Sequence, residues 1–277
     1  MTDERNVENM RGEGQMKFEH IIFEKKDKVA YVTLNHPEKR NPLTIDAFRE
    51  LRECYDLCDY DPEIRAVVIS GAGGAFSAGG DINTMKARLD AGQRGTRQVC
   101  RAGAESNQRL LNLKKPVIAQ IEGAVAGAGL SLALSCDFQI VSESAKCSFS
   151  FVNVGFIPDT GCTYLVTRAV GTTRARELFL SGKRFTGREA ADWGLFTEAV
   201  PAEKVAQRVQ EYVDKYSNGP TVSYACIKTM INRAQFAAFS DGCQLEIECQ
   251  GTCELTQDHA EAVHAFLEKR KPVFNGK

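Results

Sequence analysis

The sequence predicts an α/β fold with a helical C-terminal quarter, and three observations carry that expectation. Short β-branched apolar runs alternate with segments of helical spacing as far as Gly171. Two Gly/Ala-rich stretches, Ala-Phe-Ser-Ala-Gly-Gly-Asp at 75–81 and Gly-Ala-Val-Ala-Gly-Ala-Gly at 123–129, each follow an apolar strand-like run and lead into a helix-like pattern. Beyond Gly171 the chain becomes mostly helical.

In chain order, residues 18–24 and 29–34 are strand-like and separated by Lys-Lys-Asp-Lys, which reads as a hairpin. Residues 35–42, Asn-His-Pro-Glu-Lys-Arg-Asn-Pro, form a breaker-rich connection. Ile45, Phe48, Leu51, Tyr55 and Cys58 then recur at helical spacing, with Thr44 or Asp46 near the cap. Residues 65–70 are a buried strand that delivers the first Gly/Ala turn. The pattern returns as a helix at 101–113, a strand at 116–121, the second turn, a short helix at about 130–135 and a strand at 138–141. The segment 85–101 between them reads as mobile. Helices are expected at 174–180, 187–193, 202–216, 220–237 and 258–269, the last with Ala262, Val263, Phe266 and Leu267 on one side before Pro272 stops it. Three parts follow: a loose polar tail at 1–16, a core at 17–215 and a helical region at 216–277 suited to subunit contacts.

Composition narrows the function. With 35 basic and 36 acidic residues in 277, the formal charge is −1, which provides no electrostatic footprint for nucleic acid or a membrane surface. No apolar run approaches the roughly 18 residues of a spanning helix, and the polar N-terminus does not read as a signal peptide. Partners should be small molecules or proteins. The ten cysteines are scattered from Cys54 to Cys253 without a C-x-x-C. Cys54/Cys58 and Cys249/Cys253, four apart on helices, could share faces, but reduced buried thiols in a cytoplasmic protein fit better than a metal site.

The two turns carry the chemistry. Small residues after a strand let a ligand approach the backbone, and the first turn of the next helix offers N–H groups without intrahelical partners. Two such turns can aim two donors at one oxygen, which stabilises the negative charge that develops on a carbonyl during enolate or tetrahedral chemistry.

In this order and spacing, these segments resemble the enoyl-CoA hydratase/isomerase, or crotonase, family. The resemblance covers residues 18–274 and rests on several pieces. They are Val-Thr-Leu-Asn at 32–35 with Asn-Pro-Leu at 41–43, Phe-Ser-Ala-Gly-Gly-Asp-Ile at 76–82, and residues 123–137. Further along come Gly-Phe-Ile-Pro-Asp-Thr-Gly-Cys-Thr at 155–163, Arg-Ala-Val-Gly at 168–171, residues 190–195, and Phe-Leu-Glu-Lys-Arg-Lys-Pro at 266–272. It implies a spiral of repeated ββα units with C-terminal helices that build homo-trimers, often paired into homo-hexamers. It also implies an acyl-CoA thioester as substrate, coenzyme A being part of that substrate and no separate cofactor being needed.

The resemblance places the two amide donors of an oxyanion hole on Ala78 and Ala128. The bland alternative for both is tight strand–helix packing. Residues Ala78, Gly79, Gly80, Asp81 and Ile82 are expected to follow the CoA moiety, with Asp81 equally suited to cap a helix. Arg40 and Lys269, the latter near the C-terminus where a neighbouring subunit could lend it, are expected to reach CoA phosphates, the plain alternative being that both are just solvated. The two carboxylates of family hydratases fall on Ser131 and Phe151 here, and neither side chain can take a proton from water. Phe151 instead lines the acyl pocket. Asp159 falls where some family isomerases carry an acid, near Phe151, Phe156 and Tyr164. The plain alternative is that Pro-Asp-Thr-Gly is only a turn. Glu122 and Asp137 abut strand ends and read as structural.

The reading that follows is a double-bond shift by proton transfer through Asp159, of the kind found in fatty-acid or aromatic-acid breakdown. A hydratase is the alternative within the family. Thioester hydrolysis, ring opening and a non-catalytic acyl-CoA-binding module are alternatives of other classes. A nucleophilic Cys147 or Cys162 would need one of His20, His36, His259 or His264 brought close.

Overall fold

The computed structural model describes residues 18–235 and 239–273. The expected tail at 1–16 and the end of the helix expected to close at 237 lie outside the described residues.

The chain opens with the antiparallel pair β1 (Ile21–Lys26) and β2 (Val29–Leu34). Asp27, at φ 52°, makes the left-handed step of their turn. Next to β2 run β3 (Ala66–Gly71), β5 (Val117–Ile121), β7 (Phe138–Ser142) and β10 (Glu198–Val200), all parallel, giving a six-stranded sheet ordered β1-β2-β3-β5-β7-β10. A second sheet is ordered β4-β6-β8-β9, from β4 (Ala75–Ser77), β6 (Ala124–Ala126), β8 (Lys146–Ser148) and the antiparallel β9 (Arg184–Thr186).

The repeat is now visible. Three strands of the first sheet, β3, β5 and β7, each hand the chain to a short strand of the second, and a helix follows. Thus β3 and β4 lead to α2 (Ile82–Asp90), β5 and β6 to α4 (Ala128–Leu134), and β7 and β8 to α5 (Cys162–Ser181). This is the expected spiral of ββα units.

The long strands read as unbroken apolar runs because both faces of their sheet are covered. One face, with Val32, Val67, Ile69, Val117, Ala119 and Val141, joins Phe48, Leu51 and Tyr55 of α1 (Ile45–Tyr60) and Leu110 of α3 (Thr96–Leu111) in the main core. The other, with Val29, Val68, Ile118 and Ile140, receives Val205, Val209 and Val213 of α7 (Val205–Ser217). The four-residue spacing of those valines keeps them on one stripe. Thr44 caps α1 by accepting from the Ala47 N–H.

Two local expectations change. The segment expected to be mobile at 85–101 is largely helical, occupied by α2 and the start of α3, because Asp81 and Glu254 satisfy the first N–H groups of those helices. The helix expected at 174–180 is present as the second half of α5, and a helix from Cys162 that was not expected precedes it across the break at Gly171 (φ 74°, ψ 166°). Before the C-terminal helices comes α6 (Gly187–Asp192); then α8 (Thr221–Gln235), α9 (Phe239–Cys253) and α10 (Gln257–Leu267) follow. Among the described residues, no helix is long and apolar enough to cross a membrane.

Candidate active site

The two Gly/Ala turns meet at Gly79. Its φ of 80° suits glycine, and a Cβ there would come within 2.7 Å of the Ala126 oxygen and 3.1 Å of the Ala128 nitrogen. Gly127, at φ 52°, starts α4 and anchors its own N–H on the Ser148 oxygen at 3.1 Å. Gly129 has Ser77 against it, 2.7 Å from where a Cβ would stand. Only glycine lets the turns approach this closely.

The donors of the first turn differ from expectation. The Ala78 N–H donates to the Arg40 oxygen at 2.8 Å, and the Gly79 N–H to Ser77 Oγ at 3.1 Å. Ala78 is therefore committed to holding the loop at Arg40, whose left-handed backbone (φ 60°) closes the 3-10 turn Pro37–Lys39. The next amide, Gly80, has no protein acceptor among the described residues, and neither does the Ala128 amide at the start of α4. The amide expected from the resemblance, Ala78, is thus engaged within the protein, whereas that of Gly80 is open.

Asp81 accepts from the Asn83 N–H at 2.9 Å and from the Thr84 hydroxyl at 3.0 Å, so its side chain is the N-cap of α2. Ile82, next to it, packs on the core. Arg40 and Lys269 are exposed, and among the described residues neither side chain takes part in an ion pair. Lys269 follows α10 in a left-handed conformation (φ 55°).

Asp159 lies in an overdetermined turn. Thr160 (φ 56°) and Gly161 (φ 86°) follow it, and a left-handed β-branched residue is costly, on the order of 1–3 kcal/mol. Three elements hold that conformation. Asn107 Nδ2 on α3 donates to the Thr160 oxygen at 3.0 Å, Ser131 Oγ on α4 donates to the Asp159 oxygen at 3.2 Å, and Glu246 on α9 accepts from the Gly161 and Thr163 N–H groups at 2.7 and 3.1 Å. His259 on α10 steadies the approach to the turn, with Nδ1–H donating to the Val154 oxygen at 2.7 Å and its ring stacked 3.8 Å from that of Phe156.

The carboxyl itself is asymmetric. Oδ2 accepts from Gln250 Nε2 at 3.0 Å and from the Cys100 thiol at 3.4 Å, whereas Oδ1 is buried without a partner. Burial pushes the Asp159 pKa above the usual carboxylate range, against the pull of Gln250 and Cys100. Glu246 is pushed up to about 7, again mainly by burial. Phe151 is buried beside the second turn, its ring 3.8 Å from where a Gly127 Cβ would stand. Pro-Asp-Thr-Gly is thus a turn, and the carboxyl of its Asp159 has one oxygen buried without a partner.

Other groups settle into structural roles. Asp137 accepts from the Val117 N–H at 2.8 Å and pairs with Lys228, while Glu122 accepts from Gln120 at a strand end. Burial pushes the Cys147 thiol up to about 12 and that of Cys162 well above its usual range, which removes the nucleophilic thiolate reading. Among the described residues, no group of three or more His, Cys, Asp or Glu side chains could hold a metal ion. Sequence reasoning missed Cys100, Glu246 and Gln250. The one available signal was the spacing of Glu246, Gln250 and Glu254 at every fourth position, which by itself reads as a solvated helix face.

Paired glycine turns beside an enclosed carboxylate, on a two-sheet spiral, define an α/β enzyme scaffold. Residues 24–277 match the family model described as enoyl-CoA hydratase/isomerase, and the chain belongs to that family. It is 34% identical over 265 residues to the trans-2-decenoyl-[acyl-carrier-protein] isomerase of Streptococcus mutans, covering 95% of this chain and 100% of that one. It is 34% identical over 264 residues to the 1,2-epoxyphenylacetyl-CoA isomerase of Escherichia coli, covering 94% and 99%. The crystal structure of an enoyl-CoA hydratase from Mycobacterium avium subsp. paratuberculosis superposes with a TM-score of 0.85 at 30% identity, over 94% of this chain and 100% of that one.

Proposed function

We propose that the protein shifts the double bond of an enoyl thioester, with Asp159 as the proton carrier. The observation that carries this reading is the unpartnered, buried Oδ1 of Asp159, in a site where Ser131 and Phe151 stand in place of the acids that water addition would need and where the other nearby carboxylate, Glu246, is occupied by the Gly161 and Thr163 N–H groups. The thioester oxygen is received by the amides of Gly80 and Ala128, which stabilise the dienolate formed when a proton leaves C2. Asp159 Oδ1 takes that proton and returns it at C4. A carboxyl whose pKa burial has raised suits a proton that must be both taken and given back near neutral pH.

The substrate is an acyl-CoA, with residues 78–82 following the carrier and Arg40 and Lys269 meeting its phosphates. The two isomerases similar to this chain support the reaction class. The exposed apolar face of α8, with Val222, Ile227, Met230 and Ile231, supports assembly as a homo-trimer or homo-hexamer. The free thiols among the described residues support a reducing, cytoplasmic setting.

Incubation with a 3-enoyl-CoA and with crotonyl-CoA tests the proposal. The 3-enoyl ester should be converted to the conjugated ester, followed by its thioester absorbance, and the rate should fall at least about 100-fold in Asp159→Asn with acyl-CoA binding retained. Efficient hydration of crotonyl-CoA, release of free CoA, or full turnover by Asp159→Asn would refute it.

A further inference from the structure

The helix α9 and the residue just after its last turn present a buried polar stripe, Glu246, Gln250 and Glu254, at intervals of four residues, with Glu246 and Gln250 facing the catalytic turn. Each of these side chains meets backbone from elsewhere in the chain. Glu246 holds the Gly161 and Thr163 N–H groups, and Glu254 holds those of Gly95 and Thr96 at the start of α3. Gln250, fully buried between them, accepts from the Ile157 N–H at 3.1 Å through Oε1 and donates to Asp159 Oδ2 at 3.0 Å through Nε2.

This arrangement has only one satisfactory orientation. The Ile157 N–H can only donate, so the amide oxygen must face it and the amide NH2 must face the carboxylate. Turning the amide over would set donor against donor and oxygen against oxygen. The Gln250 NH2 cannot give up its proton at any working pH, so Oδ2 stays an acceptor whether Asp159 is charged or neutral. The Cys100 thiol points at the same oxygen. A proton on this carboxyl therefore resides on Oδ1.

We propose that Gln250 is a positioning residue for proton transfer: locked by Ile157, its amide commits Asp159 Oδ2 and leaves Oδ1 as the oxygen that exchanges the proton with substrate. The inference rests on Asp159 being the proton carrier. The titratable groups that face Asp159 are Cys100 on α3, Cys162 on α5, and Cys243 and Glu246 on α9. All of them are acids, so none offsets burial with a positive charge, and the neutral donor of Gln250 is the largest counterweight the chain supplies, ahead of the Cys100 thiol and the Thr160 hydroxyl. Without it the carboxylate would hold its proton more tightly and act as a base only at higher pH.

Two variants test this in the full-length protein through the pH profile of kcat/KM for a 3-enoyl-CoA. Gln250→Met removes both hydrogen bonds. Gln250→Glu keeps the shape and the acceptor for Ile157, but replaces the donor with a second carboxyl. The rising limb of the profile should move to higher pH by roughly one to two on the pH scale in Gln250→Met, and at least as far in Gln250→Glu, where like charges add. If Gln250→Met does not fold, as judged by circular dichroism, Gln250→Glu carries the test. A limb that stays at the wild-type pH in the folded variants, with activity lowered equally at all pH values, would make Gln250 merely structural and overturn the inference. Failure of the underlying reading looks different: Asp159→Asn would then turn over the 3-enoyl ester as well as the wild type does.

Discussion

Replacing Gly79 with alanine places one methyl group where the two amide turns touch, and its effect can be worked out from the geometry. The left-handed backbone (φ 80°) disfavours any Cβ by roughly 1–2 kcal/mol. The new methyl would stand 2.7 Å from the Ala126 oxygen, where ordinary contact begins at 3.4 Å, so the turns must part by about 0.7 Å, the difference of the two. The obstacle is backbone and cannot swing aside. A displacement of that size between two donors meant for one oxygen should lower kcat/KM by about 10- to 100-fold, since misplacement of about 1 Å costs that much in positioned chemistry. Strain and overpacking together, at about 2–3 kcal/mol, should lower the melting temperature by roughly 4–10 °C in a chain of this size. Gly194→Ala is the control. Its φ of 74° imposes the same kind of strain, but nothing lies within 4 Å of the added Cβ. That variant should lose about 1 kcal/mol and keep wild-type kinetics. Thermal melts and steady-state isomerisation of a 3-enoyl-CoA on both variants decide the matter. Equal melting losses with undiminished kcat/KM in Gly79→Ala would refute the claim that the turns cooperate at this contact.

Two further predictions concern stability. Because the Glu246 carboxyl is raised from 4.5 to about 7, the folded protein retains a proton that the unfolded chain releases between those values. Its contribution is fully present below about pH 4.5 and is lost as the pH climbs through 7. Melting temperatures measured from pH 5 to 8 should therefore fall less in Glu246→Gln than in the wild type, and parallel curves would contradict the assignment. Lys228→Met leaves Asp137, whose pKa burial raises, without its cation. The loss should be roughly 2 kcal/mol by chemical denaturation, less than for a sealed pair because 24% of the Asp137 side chain meets solvent. Asp137→Asn in the same background should recover part of it.

Much of the architecture was legible because local patterns and tertiary packing agree. The valine runs of β2 and β3 are continuous since α7 covers one face and α1 and α3 the other. Gly79 and Gly127 marked the turns because their backbones require positive φ. The short strands β4, β6, β8 and β9 were not legible, since three residues carry no periodicity and pairing alone defines them. The choice between neighbouring amides in the first turn was also hidden. Ala78 and Gly80 look alike in sequence, and only the Arg40 oxygen, 38 positions before Ala78 by numbering, shows which amide is already taken.

The sequence by itself determined that two glycine turns would sit between strands and helices, that hydratase carboxylates are replaced by Ser131 and Phe151, and that one acid, Asp159, remains beside them. The turns follow from residue types and local spacing, which a linear text contains, whereas the roles of Ser131, Phe151 and Asp159 are what the family resemblance implies for those positions. The tertiary structure decided which amides stay open, which oxygen of Asp159 is left bare, and that Gln250, 91 residues away, holds the other. Hydrogen bonds between distant segments have no signature in spacing, because they depend on how α9 lies across the turn, and that is fixed only when the whole core has packed.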